Sequence, residues 1–383
     1  MKSVHFLIIG FLMGILFFSC KEQKLTGEND LLKKKFTLFS PEYAKNFEIR
    51  DYGEFQLILI HNPWSKEKSE LQKIIVSSDK SILSVFSSDF VRIKTPVKRV
   101  AIQSVSNIGF FNSLRSTNLI YGIADPYLIY NPELAQAYKE GKIQNIGTSM
   151  NISLEKVLAG NYDVFVATAY SGNDKFELLQ KSGQGYIFNL DWLEAHPLGR
   201  AEWVKCIGLL SGKFNEANNL FDSIRNEYQR IKAEAANRTE KPDILVGTSF
   251  KGVWYVPGGN SFKSILYKDA GANYYWKNDS NTGSLPFSFE KVFSRQKSAN
   301  IWIDVACKTK RELEQMDERY KMFDAFTKSE IYTYYKYVND KGANLYWEEG
   351  VCRPEKVLSD LSRIFNKSEK YIPDNLNYYI LVP

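Results

Sequence analysis

The longest helical pattern in the chain lies near its middle, over residues 215–237. Its apolar residues recur at the spacing of one helical face, while charged and amide side chains occupy the other face. The apolar members are Leu220, Ile224, Tyr228, Ile231 and Ala235. At a rise of 1.5 Å per residue, such a segment spans roughly 30 Å, which is enough to cross from one small lobe to another. The pattern therefore predicts a long connecting helix with Asn215 as its N-cap.

A short repeat flanks this helix, with SLEKVL at residues 153–158 and SFEKVF at residues 288–293. In each copy a Ser suits the N-cap and a Glu in the first turn suits the helix dipole. Each copy is followed by an apolar run, DVFVA from Asp163 and NIWIDVA from Asn300. The repeat predicts equivalent helix-then-strand units in the two halves, with chance similarity over six residues as the alternative.

Short apolar runs alternate with helical patterns from Arg99 onward, and the alternation resumes after the connecting helix. Such alternation is typical of a mainly parallel sheet covered by helices. We therefore predict two pseudo-symmetric α/β lobes joined by one helix. The predicted divisions are an N-terminal lobe at 96–200, a helical connector at 201–238, a C-terminal lobe at 239–370 and a tail at 371–383.

Residues 36–95 show a different pattern, with several strand-like runs separated by turns. This segment has no counterpart in the second half of the chain. We expect a β-rich extension before the first lobe, for example a hairpin packed on its outside.

The first 20 residues resemble an export signal. Lys2 precedes an apolar run at residues 6–18, which is followed by Ser19 and Cys20. The ending FFSC resembles a bacterial lipobox, in which the Cys is lipidated, and residues 21–35 suit a tether. A plain signal peptide or an uncleaved anchor is the alternative. We expect an exported protein held by lipid at Cys20, facing the periplasm or the outer surface.

Composition fits a globular protein with enough apolar material for two cores, since 44% of residues are hydrophobic and 14% aromatic. The formal charge of +6 is not concentrated in a long Lys/Arg block, so nothing specific indicates nucleic-acid binding. With Cys20 committed to lipid, Cys206, Cys307 and Cys352 remain, and at most one internal disulfide can form. Cys307 and Cys352 are the favoured pair because both follow the connecting helix.

Five stretches in order resemble the substrate-binding proteins of ABC importers for iron siderophores, cobalamin or haem. They are IYGIADPYLIYNPELA, NIGTSMNISLEKVLAGNYDVFVA, HPLGRAEWVKCIGLLSGKFNEA, WYVPGGNSFKSILYKDAGANYYW and SFEKVFSRQKSANIWI. The family more often has Pro-Asp before the two strands, where this chain has Tyr162-Asp163 and Ala299-Asn300. The resemblance covers residues 99–365 and implies a monomer that carries one small ligand between two lobes, with only small closure on binding.

The resemblance also implies a partner, an ABC permease dimer. In the family, acidic residues at the positions of Glu155 and Glu290 dock on basic residues of the two permease subunits. No cofactor of the protein's own is implied, although the cargo can contain a metal.

Ligands of open α/β sheets collect at the carboxyl ends of strands, so the residues just after the strands are the cleft candidates. The first-lobe candidates are Ser104, Ser106, Asp125, Ser149, Tyr170, Ser171, Asp191 and Trp192. The second-lobe candidates are Ser249, Lys251, Trp254, Ser284 and Asp304. Trp192, Tyr170 and Trp254 rank highest, because aromatic rings at strand ends can cover a bulky ligand, although each suits a core equally well. Arg200 is a weaker candidate for an anionic ligand group, since it also suits a salt bridge at a helix start.

Enzymatic readings find little support. Outside the signal the chain has only His61 and His196, which excludes a three-His zinc site. Phosphate-binding, dinucleotide-binding and serine-hydrolase motifs are absent from the sequence. A triad of His196, Asp191 and a Ser stays as a remote alternative. The other alternative is a surface lipoprotein that captures a protein or a glycan.

Overall fold

The N-terminal extension is a folded unit with its own sheet. The computed structural model describes residues 27–65, 69–169, 176–366 and 375–383. The extension contains α1 (Glu28–Leu32), β1 (Thr37–Phe39), β2 (Phe47–Asp51), β3 (Gln56–His61), β4 (Glu70–Ser77), α2 (Lys80–Val85) and β5 (Val91–Lys94). The strands lie in the order β1-β2-β3-β4-β5, with the last pair parallel and the others antiparallel.

Both faces of this sheet are buried. On one face Phe55, Leu57 and Ile75 form a separate core with residues of α1 and α2, and on the other Ile58 and Ile74 join the main core of the protein. The expectation of a hairpin on the outside was wrong, because a sheet that is apolar on both faces must be covered on both. Leu31 of α1 is buried in the separate core, so the predicted tether cannot extend past Glu28.

The first lobe follows as a five-stranded parallel sheet in the order β12-β11-β6-β7-β8. Its elements are β6 (Val100–Ile102), α3 (Ile108–Ser113), β7 (Ile120–Ile123), α4 (Pro132–Lys139), β8 (Gln144–Asn145), β9 (Gly147–Thr148), β10 (Asn151–Ile152), α5 (Leu154–Ala159), β11 (Val164–Ala167), α6 (Glu177–Ser182) and β12 (Tyr186–Phe188). Strands β6, β11 and β12 are buried at every position. Gln72 of the extension donates to the carbonyl of Tyr186 and accepts from the amide of Phe188, which ties β4 to β12.

Three helices connect the lobes, α7 (Pro197–Glu202), α8 (Val204–Ser211) and α9 (Phe214–Ala236). Helix α9 is the predicted connecting helix, and Ile224, Tyr228, Ile231 and Ala235 form its buried stripe as expected. Its N-cap is Lys213, which supplies no side-chain cap, so the assignment of Asn215 as N-cap was wrong.

The second lobe contains β13 (Asp243–Val246), β14 (Ser249–Phe250), β15 (Val253–Pro257), α10 (Phe262–Asp269), β16 (Asn273–Tyr274), β17 (Ser284–Phe287), α11 (Phe289–Gln296), β18 (Ile301–Ile303), α12 (Lys310–Met316), α13 (Asp324–Thr327), β19 (Tyr332–Thr333), α14 (Leu345–Glu349), α15 (Pro354–Phe365) and β20 (Ile380–Leu381). Its parallel sheet has the order β16-β13-β18, and β14, β15 and β17 form a small antiparallel sheet. Strand β20 pairs with β19, so the predicted tail is partly built into this lobe.

The two repeats occupy equivalent places. In the first lobe β6 is flanked by β7 and β11, and in the second β13 is flanked by β16 and β18. Helix α5 leads into β11, just as α11 leads into β18. The side chains of Ser153 and Ser288 each accept from the amide three residues on, at Lys156 and Lys291. The prediction of two related helix-then-strand units is confirmed.

The three cysteines in the described residues are buried free thiols. Cys352 approaches Ser113 of the first lobe at 3.5 Å, so the favoured pairing of Cys307 with Cys352 was wrong. None of the helices in the described ranges is both long and apolar enough to cross a membrane.

Candidate binding site between the lobes

Polar residues at the strand ends of the first lobe are joined by hydrogen bonds. The hydroxyls of Ser104 and Ser106, which follow β6, lie 2.8 Å apart. The carboxylate of Asp125, which follows β7, accepts from the amide of Ser149 at 2.8 Å and from the hydroxyl of Tyr127 at 3.1 Å. The structure thus brings Ser104 next to Ser106 after β6, and Asp125 after the adjacent strand β7 next to Ser149.

Gln103 connects these strand ends. Its side-chain Nε2 donates to the carbonyl of Ser149 at 2.8 Å, and its side-chain Oε1 accepts from the backbone amide of Thr168, which follows β11, at 2.9 Å. Tyr170 and Ser171 come next after β11 but lie outside the described residues.

Asp191, Trp192 and Arg200 mark the end of β12. Trp192 is 37% exposed, and its predicted role in covering a ligand stays a prediction. Burial raises the pKa of Asp191 to about 6, against the opposing attraction of Arg200. Arg200 donates from Nε to the Glu194 carbonyl at 3.1 Å and from Nη2 to the Trp192 carbonyl at 2.6 Å. Two backbone acceptors therefore fix the guanidinium.

The facing wall of the second lobe is built around a buried ion pair. The ammonium of Lys263 on α10 lies 2.8 Å from the carboxylate of Asp304, which follows β18. Asp304 also accepts from the hydroxyls of Tyr267 and Tyr379, each at 2.5 Å, and Lys263 donates to the hydroxyl of Tyr346. Burial by itself would lower the pKa of Lys263, but attraction by Asp304 and Tyr346 raises it overall. The ammonium therefore stays charged, with partners on several sides.

Aromatic rings surround the same ammonium. The Lys263 nitrogen lies 4.6 Å from the ring centroid of Tyr346, 5.7 Å from that of Tyr334 and 6.0 Å from that of Trp347. Trp347 is 42% exposed, whereas Tyr346 is buried. The accessible part of the second-lobe wall is thus the Trp347 indole, which lies beside the buried Lys263–Asp304 ion pair and its aromatic neighbours.

A small cavity of about 20 Å³, which is about the room for one water molecule, lies between α7 of the connector and helices α10, α14 and α15 of the second lobe. Arg200 lines it from the connector side, and its guanidinium carbon lies 3.6 Å from the ring centroid of Phe262. The complete lining is Pro197, Arg200, Phe262, Leu266, Tyr346, Trp347, Gly350, Val351, Pro354 and Val357. This cavity combines one fixed cation with aromatic surface, and none of the first-lobe strand-end candidates in the described residues lines it.

Helix α14 brings the second lobe against the first. The carboxylate of Glu348 accepts from the amides of Tyr130 at 2.6 Å and Asn131 at 3.0 Å. A methyl group added at Gly109 would lie 2.4 Å from the carbonyl oxygen of Glu348, so only glycine permits this approach of α3. Burial raises the pKa of Glu348 to about 7.

Trp254 belongs to the core and not to the cleft. Its side chain is fully buried, its Nε1 donates to the Val246 carbonyl at 2.8 Å, and its ring packs against Trp302, Tyr320 and Phe323. The prediction that it lines the cleft was wrong, because its inward position on β15 faces the aromatic interior of the lobe.

The other second-lobe candidates on the small antiparallel sheet do not line the cavity. Ser249 bonds with both its amide and its hydroxyl to the hydroxyl of Tyr320. Lys251 is exposed at the turn between β14 and β15, with a left-handed φ of 51°, and Ser284 is exposed on β17. A role for Lys251 or Ser284 in binding stays a prediction.

Glu155 and Glu290 are exposed in the first turns of α5 and α11, as predicted. Their surroundings differ, because Glu290 forms an ion pair with Arg319 at 3.0 Å, whereas Glu155 forms no ion pair with any of the described residues. His196 accepts from the Leu198 amide through Nδ1 and so caps α7, which leaves that nitrogen engaged in a helix start.

Sequence reasoning missed Phe262, Lys263, Tyr346 and Trp347. A signal for Lys263 existed, because it falls on the same helical face as Tyr267, four residues later. Trp347 gave no such signal, since a Trp beside a Tyr in a short helix is compatible with either core or surface.

This geometry defines a class of protein, a two-lobed α/β protein whose lobes are joined by a helical connector that includes the long helix α9. The sequence model of the periplasmic binding protein family matches residues 124–337, more than half of the chain. The chain belongs to this family.

Individual proteins are similar to this chain in sequence or in fold. An uncharacterised lipoprotein of Methanocaldococcus jannaschii is 25% identical over 370 residues, covering 90% of this chain and 85% of its own length. A possible iron-binding periplasmic solute-binding protein of Staphylococcus epidermidis has 18% identity and a TM-score of 0.54, covering 71% of this chain and all of its own. A periplasmic haem-binding protein of Pseudomonas aeruginosa has 17% identity and a TM-score of 0.54, covering 72% and 95%.

The relative from Methanocaldococcus jannaschii shares at least part of the extension. A match over 90% of 383 residues leaves about 38 residues unmatched. The extension ends at residue 95, so the match must include part of it even if all unmatched residues lie at the N-terminus.

Proposed function

We propose that the protein is the lipid-anchored, extracytoplasmic binding component of an ABC importer, and that it carries a ferric siderophore, a corrinoid or a haem-like ligand. The observation that carries this proposal is the fixed Arg200 guanidinium between the lobes, flanked by Phe262 and Trp347. A pocket with much aromatic surface and one oriented cation suits a large, partly planar ligand with an anionic group.

In this proposal the cargo binds outside the small cavity, between Arg200 and the strand ends of the first lobe. A space of about 20 Å³ holds no ligand of that size, so Arg200 and the exposed faces of Trp192 and Trp347 contact one side of the cargo. The strand-end pairs Ser104 with Ser106 and Asp125 with Ser149 form the polar first-lobe side.

Neither histidine outside the signal lines the cavity beside Arg200. His196 caps α7, and His61 ends β3 of the extension. A cargo whose metal is already coordinated by its own donor atoms fits the cleft best, which favours a ferric chelate or a corrinoid over a haem held by histidine.

Anchoring and delivery complete the proposal. Lipid on Cys20 holds the protein at the membrane, and Glu155 with Glu290 sets its orientation on the permease. The equivalent positions of these two acidic residues in the two lobes support this role. Charges at the rim of an interface mainly affect orientation and encounter rate.

The decisive experiment titrates the protein, produced from residue 21 onward, with three probes followed by visible absorbance. The probes are a ferric tris-catecholate, cyanocobalamin and haemin. We expect one of them to bind at one site per chain, and Arg200→Ala to weaken it by roughly tenfold or more, because a hydrogen bond to a charged group contributes about 1.5 to 3 kcal/mol.

The matched control is Arg230→Ala. Arg230 is an exposed arginine of α9 whose guanidinium is held by Glu227 and Glu234, so its loss should leave affinity unchanged. Failure of all three probes to bind would overturn the cargo assignment and favour a surface lipoprotein that captures a protein or a glycan.

Docking is tested separately. We expect Glu155→Arg combined with Glu290→Arg to abolish uptake while the isolated protein binds its cargo within a few-fold of the wild-type affinity. Normal uptake by this double variant would leave both residues as helix-start carboxylates only.

A further inference from the structure

The extension is held by a short strap, residues 42–46, which leads from β1 into β2. Three consecutive amides of the strap donate to the carboxylate of Glu202 on α7, from Glu42 at 2.9 Å, Tyr43 at 2.8 Å and Ala44 at 3.0 Å. Glu202 is fully buried. A buried carboxylate that accepts several amides fixes the backbone that donates them.

A second buried carboxylate holds the rest of the strap. Glu194 accepts from the amides of Lys45 at 2.9 Å and Asn46 at 3.1 Å, and from Nε1 of Trp203 at 3.2 Å. The backbone carbonyl of the same Glu194 accepts from Nε of Arg200 at 3.1 Å. Glu194 thus binds the strap with its side chain and binds Arg200 with its backbone carbonyl.

Among the described residues, Glu202 forms no hydrogen bond with Arg200. Its remaining partner is the ammonium of Lys205 at 2.7 Å, which lies over the ring of Phe221 on α9. Both carboxylates therefore bind the strap, but only Glu194 also binds Arg200, through its backbone carbonyl.

We propose that Glu194 is a positioning residue, through which the N-terminal extension sets the orientation of the Arg200 guanidinium in the cleft. The segment from Asp191 to Glu194 supplies both carbonyls that bind Arg200, and the strap holds the C-terminal end of that segment. A donor fixed in advance in its binding geometry loses less conformational entropy when a ligand arrives.

The first test does not depend on the cargo. In NMR spectra of the full mature chain, the Nε–H signal of Arg200, assigned by its absence in Arg200→Lys, should exchange slowly with water. In Glu194→Gln the negative charge is lost and the NH2 group that replaces Oε2 opposes the Lys45 amide as a second donor, so this exchange should accelerate by about tenfold, as expected when a local opening becomes easier by about 1.4 kcal/mol.

The matched control is Glu202→Gln, which makes the same chemical change at the other strap anchor. Both variants should lose similar thermal stability, but Glu202→Gln should leave the Arg200 exchange rate within about twofold of wild type. Equal acceleration in both variants, or none in Glu194→Gln, would overturn the positioning role and leave Glu194 as a structural anchor.

The second test rests on the proposed function, and it uses the probe among ferric tris-catecholate, cyanocobalamin and haemin that binds. Coupling between two sites usually corresponds to a factor of about 5 to 150, so Glu194→Gln should weaken binding by at least about fivefold. In an Arg200→Ala background the same substitution should have no further effect, because the group it positions is gone. Additive losses would contradict action through Arg200. If no probe binds, the proposed function fails and the exchange measurement alone decides the role of Glu194.

Discussion

The two walls of the cleft belong to lobes with related parallel sheets but have different chemistry. In the first lobe, α3 leads to β7 with the sequence IGFFNS, which carries no charge. In the second, the equivalent α10 carries Lys263, whose ammonium is buried against Asp304 after β18. The first-lobe wall is a set of polar side chains bonded to nearby backbone, and the second is an ion pair enclosed by aromatic rings. Related scaffolds thus fix where a site lies, while individual side chains fix what it binds.

The largest expected effect is a loss of stability, and it distinguishes a tryptophan in the aromatic core of the second lobe from a tryptophan at the cleft. Trp254→Ala should cost about 3 to 5 kcal/mol of unfolding free energy, because it empties a packed cluster and orphans the Val246 carbonyl. Probe affinity should be unchanged. Trp192→Ala, at a partly exposed ring, should do the reverse and cost about 1 to 3 kcal/mol of binding with little change in stability. Urea unfolding and absorbance titration would measure both, and a binding defect in Trp254→Ala would return that residue to the cleft.

The ion pair offers the next test of the difference between the walls. Asp304→Asn should cost about 3 kcal/mol of unfolding free energy, because it leaves the buried Lys263 charge without its partner. Adding Lys263→Met should recover part of the loss. Asp125→Asn in the first lobe should cost only about 1 kcal/mol, since it removes hydrogen bonds and leaves no unpaired buried charge. Equal losses from Asp304→Asn and Asp125→Asn in urea unfolding would show that the two walls are not different in kind.

The contact between lobes should depend on pH through Glu348. Burial raises the pKa of this carboxyl to about 7 in the folded protein, from about 4.5 when unfolded, so folding favours the protonated form. Its stabilising contribution is complete below pH 4.5 and is lost as the pH rises to 7. Each pKa unit corresponds to 1.36 kcal/mol, so the contribution is on the order of 3 kcal/mol.

Glu348→Gln should abolish that dependence. The stability of the wild type relative to the variant should therefore rise between pH 7 and pH 4.5, as followed by urea unfolding at several pH values. A difference that is constant over this range would mean that Glu348 does not titrate there.

The smallest effects should be equal in the two lobes. Ser153→Ala and Ser288→Ala each remove an N-cap that accepts one amide, at a cost of about 1 kcal/mol. Thermal unfolding of both variants would reveal whether the two repeats are energetically as well as topologically equivalent, and a twofold difference would set them apart.

Several features of the fold could be predicted because they depend on local pattern. The stripe of Ile224, Tyr228 and Ile231 indicated the buried face of the connecting helix. The repeated Ser caps indicated equivalent elements on either side of the connecting helix. In each case the deciding interactions lie within a few residues along the chain.

The site could be predicted only in part. Asp125 with Ser149, and Ser104 with Ser106, lie together as the rule of strand carboxyl ends implies. Lys263 and Trp347 were missed, and Trp254 was misplaced, because a residue's position along its own strand or helix does not reveal which face the neighbouring elements cover.

The sequence by itself determined the two-lobed α/β plan, the connecting helix and the strand ends where a ligand would collect, because hydrophobic periodicity and caps act over one or two helical turns. The tertiary structure alone decided that Asp304 meets Lys263 across 41 residues and that Glu194 meets the strap across about 149 residues. Such pairs form because a charge or an amide removed from water must find a partner wherever folding brings one within reach, and local pattern does not encode that distance.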